Sequence, residues 1–156
     1  MNIGMNNLIA PYLNDLRLIS KMKIGQSLLI NNSSISIYEF GWYNWLLRKW
    51  YNVNKQEVIR YIATLFRNIG DIVDNLKEEA KYRDTINNIY EQVEKSLVGI
   101  HNLSITYKNY PELQVKIESL VEDQILPVMK KINTLAGVNR KIKYGERVMS
   151  SEDTQA

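Results

Sequence analysis

Residues 54–76 read NKQEVIRYIATLFRNIGDIVDNL, and the spacing of their apolar side chains decides the fold. Val58, Ile62, Leu65, Ile69, Ile72 and Leu76 recur at intervals of four, three, four, three and four. Ile59, Phe66 and Val73 add a flanking line at intervals of seven. At about 3.6 residues per turn, such spacing gathers every one of these side chains onto a single stripe. Asn54 is a good N-cap residue and Glu57, three positions on, completes a capping box. The stretch predicts a helix over 55–80, about 38 Å long at roughly 1.5 Å per residue.

Downstream the same rhythm returns. Ile86, Tyr90, Val93, Leu97 and Ile100 predict a helix over 84–108, with Asp84 as its cap. Asn109-Tyr110-Pro111 is a turn, and Pro111 suits the first turn of a helix over 111–136. Leu113, Ile117 and Leu120 line one side of that helix; Val121, Ile125, Val128, Ile132 and Leu135 line a neighbouring one. Pro127 lacks a backbone donor and crowds the carbonyl of Asp123, so a kink is expected there. Gly137 ends the run. Residues 137–156 are basic (Arg140, Lys141, Lys143, Arg147), then acidic and Ser/Thr-containing, and are expected to form a flexible tail.

Upstream, Pro11 is placed to open a first helix with Leu13, Leu16 and Ile19 on its apolar face, closed by Gly25. Residues 27–39 alternate apolar and polar around Asn31-Asn32-Ser33 and predict a small β-hairpin, which must pack on the helices to be stable. Residues 41–51 predict a short aromatic helix, apolar almost all round. The sum is a mainly α domain over residues 1–136. It is an antiparallel three- to four-helix bundle of long helices, with the N-terminal hairpin and the aromatic helix at one end.

The bulk composition narrows the class. A chain of 156 residues is long enough for one real core, and 45% apolar with 24% charged residues is ordinary for a globular protein. The apolar runs are too short for a transmembrane helix. The N-terminus lacks the basic start and apolar core of a secretory signal, and there is no cysteine, so an intracellular protein without thiol chemistry is expected. Net charge is only +3, unevenly placed: residues 1–54 carry five Lys/Arg against two Asp/Glu, residues 84–136 five against seven.

All three tryptophans lie at Trp42, Trp45 and Trp50, among Tyr38, Phe40, Tyr43 and Tyr51 and beside Arg48 and Lys49. Such a cluster either caps the bundle core or meets a partner, since Trp, Tyr and Arg carry most binding hot spots. Trp42, Trp45, Arg48, Lys49, Trp50 and Tyr51 are the candidate contact set. A nucleic-acid alternative uses Arg48, Lys49, Arg60, Arg67, Arg140, Lys141 and Lys143, with Arg60 and Arg67 seven apart on one helix side. A carboxylate-metal site would need Glu91, Glu94 and His101 to face inward. His101 is the only histidine, and phosphate loops, dinucleotide fingerprints and nucleophile elbows are missing, so neither catalysis, nor a cofactor, nor a metal is expected.

Two stretches, Trp45–Lys55 (WLLRKWYNVNK) and Ser96–Tyr107 (SLVGIHNLSITY), resemble small, uncharacterised all-helical proteins of large DNA viruses. The resemblance implies a virus-encoded accessory or virion assembly component that works through contacts. It includes no catalytic motif and carries over no functional residue. The residues and the resemblance together lead to a non-enzymatic structural or protein-interaction protein, partnered by another protein or by its own copies. A nucleic-acid-binding accessory protein is the alternative, and a carboxylate-metal enzyme within the bundle a second one.

Overall fold

The computed structural model describes residues 3–32, 34–40, 55–76 and 82–149. The chain is mainly helical with one small antiparallel hairpin near its start. In order come α1 (Ile3–Ser20), β1 (Gln26–Asn31), β2 (Ser34–Glu39), α2 (Lys55–Asp74), α3 (Arg83–Thr106), α4 (Pro111–Leu120), a π turn (Val121–Ile125) and α5 (Leu126–Ala136). Two short strands, β3 (Lys143–Tyr144) and β4 (Arg147–Val148), follow. The stretch expected as an aromatic helix, 41–51, lies outside the described residues, as does the Asn54 cap.

The stripe read from residues 58–76 faces inward along its whole length: Val58, Ile62, Leu65, Ile69, Ile72 and Leu76 are all buried, as are Ile59, Phe66 and Val73. They join one continuous core with Leu13, Leu16 and Ile19 of α1, Ile86 to Leu103 of α3, and Ile117, Ile125 and Ile132 of the last rod. Among the described residues, no helix is long and apolar enough to cross a membrane.

Direction can be read from cross-helix pairs. Asn102 of α3 donates to the Met22 carbonyl at 2.9 Å, and the Gly25 amide donates to Thr106 Oγ1 at 2.8 Å. With Gly99 seated against Ile19, these pairs rise together in sequence, so α1 and α3 are parallel neighbours. In the same way Lys116 reaches Gln56 at 3.2 Å and Lys131 pairs with Asp74 at 3.1 Å, making α2 parallel to the α4–α5 rod. Gln114 donates to the Ser104 carbonyl and Arg140 to Asn87, so α3 and that rod are antiparallel. The expectation that consecutive helices pack as antiparallel neighbours holds for α3 and α4 and fails for α2 and α3. The latter do not pack along each other, because each buries its stripe against α1 and the last rod.

Three local expectations are corrected, and the irregularity expected at Pro127 takes a specific form. Pro11 lies inside α1 rather than opening it. The apolar stripe already begins at Ile9, 1% exposed, and this draws the helix back before the proline. Asp84 falls within the first turn of α3, while Tyr82 holds the cap position without a side-chain cap bond. At Pro127 the chain absorbs the missing donor with a π turn, in which the Leu126 amide donates to the Val121 carbonyl, five residues back. The largest correction concerns the tail. Residues 138–149 run back along α3 and close into β3–β4, with Ile142 2% and Tyr144 3% exposed. The alternation Lys141, Ile142, Lys143, Tyr144 is a strand pattern that its basic composition masked. Residues 150–156 lie outside the described residues.

The hairpin forms as its sequence predicts: β1 and β2 pair from Gln26↔Glu39 to Asn31↔Ser34, and Asn32 takes the left-handed conformation at φ 56°. Leu28 is buried beneath it. The hairpin packs where α2 begins and α3 ends.

Candidate functional site

Trp42, Trp45, Arg48, Lys49, Trp50 and Tyr51 lie outside the described residues; the frame that bounds them does not. The chain enters that stretch after Phe40 and leaves it at Lys55. Phe40 is buried, its amide tied to the Gly25 carbonyl at 2.8 Å. Its ring meets Tyr107 at 5.3 Å and Tyr110, edge-on, at 6.3 Å. The Lys55 ammonium stands 4.7 Å from the centre of the Tyr110 ring and 6.0 Å from that of Phe40. Both ends of the tryptophan-bearing stretch therefore converge on one ring cluster, which charge–quadrupole attraction and edge-to-face packing hold together.

Behind the rings sits a polar seam. Ser27 Oγ and Tyr107 Oη share a hydrogen bond of 2.7 Å inside the core. Tyr38 Oη is buried without a well-aligned partner. Burial pushes the Tyr38 hydroxyl up to about 12, against the opposing pull of Ser27. Tyr107 is raised for the same reason. A buried phenolate is unfavourable here, so these hydroxyls stay neutral, and that of Tyr107 ties α3 to the hairpin through Ser27.

Beside the cluster opens a cavity of about 420 Å³ lined by Ile24, Gly25, Phe40, Ile105, Thr106, Lys108, Asn109 and Tyr110. Ile24, at its rim, is 61% exposed. None of these lining positions belongs to the candidate site residues read from sequence. The apolar stripe of α3 runs on past Ile100: Leu103 and Tyr107 continue it at three and four residues and are buried.

Of the nucleic-acid alternative, Arg48 and Lys49 lie outside the described residues, and the others are divided between α2 and residues 140–143. Arg60 and Arg67 are exposed on α2. Arg140 places its guanidinium carbon over the Tyr90 ring, 3.9 Å from its centre, and donates to Asn87 at 3.1 Å. It thus borders a groove of about 480 Å³ that also holds Asp84, Glu91 and Glu94. Its neighbours are carboxylates rather than other basic residues. Lys141 and Lys143 are exposed on either side of buried Ile142.

The carboxylate-metal alternative needs three inward side chains. Glu91 and Glu94 instead face solvent, and His101 meets Tyr144 edge-on at 5.1 Å with Gly145 packed on its Nε2. His101 thus seats the C-terminal hairpin, helped by an Arg147–Glu118 ion pair. No family model, no curated protein and no solved structure matches the chain.

Proposed function

We propose that this chain is a non-enzymatic structural or protein-interaction protein whose partner meets the hairpin end of the bundle. The observation that carries the reading is the open, ring-walled cavity at the point where the tryptophan-bearing stretch departs and returns. An exposed isoleucine beside buried aromatic rings is the kind of surface that excludes water when a partner covers it. The contact set remains Trp42, Trp45, Arg48, Lys49, Trp50 and Tyr51. The resemblance to small helical proteins of large DNA viruses extends the proposal to a virus-encoded accessory or assembly component.

The test is affinity capture from the native source by the full chain and by Trp50→Ala, with and without nuclease, read by quantitative mass spectrometry. A partner retained through nuclease and depleted by Trp50→Ala, while far-ultraviolet circular dichroism stays helical, supports the proposal. Capture that vanishes with nuclease transfers the role to nucleic acid, whose binding must also weaken steeply with salt. Equal capture by both chains removes the tryptophan segment from the interface.

A further inference from the structure

We infer that the cavity at the hairpin end seats an acidic peptide segment of the partner, which inserts one large apolar side chain between Ile24, Phe40, Ile105 and Tyr110. This rests on the interaction reading above and names the chemistry of its partner.

The first argument is shape. At about 420 Å³ the cavity falls within the range of ligand pockets, roughly 300–1,000 Å³. Its apolar wall consists of two rings and two isoleucines, one of them largely exposed. That is room for an anchor side chain and some backbone, and burying such an anchor is the commonest source of hot-spot energy.

The second argument is charge. The lining contains Lys108 and no Asp or Glu. Lys108 is exposed, and among the described residues no carboxylate pairs with it. Lys55 extends over the Tyr110 ring at the same place. Lys21 and Lys23 are exposed just before Ile24. The carboxylates nearest in sequence, Glu39 and Glu112, are not part of the lining: Glu39 accepts from Gln26 at 2.8 Å, and Glu112 stands in the first turn of α4, where the helix dipole favours it. An apolar slot with this rim complements an apolar anchor flanked by carboxylates.

The experiment uses the full chain labelled with ¹⁵N. It is titrated with the hexapeptide Asp-Glu-Leu-Phe-Asp-Glu, with its lysine counterpart Lys-Lys-Leu-Phe-Lys-Lys, and with a six-nucleotide oligodeoxythymidylate. Saturable shifts centred on Ile24, Gly25 and Ile105 to Tyr110 with the acidic peptide alone are expected. Lys108→Glu and Ile24→Asn, both surface changes, should each weaken that binding about tenfold while leaving other resonances in place. Equal binding of the basic peptide, or stronger shifts with the oligonucleotide, overturns the assignment. So does a silent spectrum that becomes responsive only in Trp45→Ala, since the cavity is then closed by this chain itself. If these shifts fail while nuclease-resistant capture succeeds, the cavity assignment falls and the interaction reading stands.

Discussion

Two glycines mark two parallel helix pairs, and they do different work. Gly99 of α3 presses so closely on α1 that a Cβ there would overlap the Ile19 carbonyl. Gly70 of α2 faces α5 across a gap in which a Cβ would sit 3.4 Å from Val128 Cγ2, an ordinary van der Waals contact. One pair is held backbone to backbone, the other by interleaved side chains. The absence of a side chain is a packing requirement at Gly99 and, at Gly70, a loss of helix propensity with nothing gained.

The strongest test of that contrast is Gly99→Ala. The methyl has only backbone to push against, so α1 must shift, at a cost of at least about 2 kcal/mol. Thermal denaturation should show Tm lower by roughly 4–8 °C; an unchanged Tm would break the comparison. Next is Tyr144→Ala, which removes the ring that ties the C-terminal hairpin to His101. A loss of about 2 kcal/mol is expected, with hydrogen exchange accelerating over 142–149 and the α1–α3 seam remaining protected. Tyr107→Phe leaves Ser27 Oγ buried without its partner and should cost about 1 kcal/mol in urea denaturation.

Alkaline titration sharpens the picture further. Tyr38 and Tyr144 are each pushed up to about 12 by burial, while the unfolded tyrosine lies near 10. Below pH ~10 both states keep their protons and the contribution is whole. As pH rises from there toward about 12 the unfolded chain ionises first, so stability falls; tyrosinate absorbance and circular dichroism should change together. The smallest effect is Gly70→Ala, expected to stabilise by up to about 1 kcal/mol. A destabilisation as large as that of Gly99→Ala would mean that the α2–α5 pair is as tight as α1–α3.

The long stripes were legible because helical burial repeats at a period the sequence displays directly, as at Val58 to Leu76. The N-terminal hairpin was legible through its alternation and through Asn32, which tolerates the left-handed turn. The pairing of helices was not, because an apolar stripe states how much must be buried and not which neighbour buries it. β3–β4 escaped notice because its strands are two residues long and only Ile142 and Tyr144 carry the pattern. Of the candidate site, the tryptophan cluster was visible in sequence, but the cavity was not. Its walls come from residues 24–25, 40 and 105–110, which only the fold brings together.

The π turn before Pro127 has one more consequence. A single additional residue between Val121 and Ile125 acts as a phase slip: every side chain after it is rotated by about 100° relative to an uninterrupted helix. Val128, Met129 and Ile132, which follow it, are buried in the same core as Leu113, Ile117 and Leu120, which precede it. Deleting one residue from 121–125 would make the rod more regular but rotate that buried set by about 100° against the one before it, so the irregularity keeps the two halves of the rod in phase.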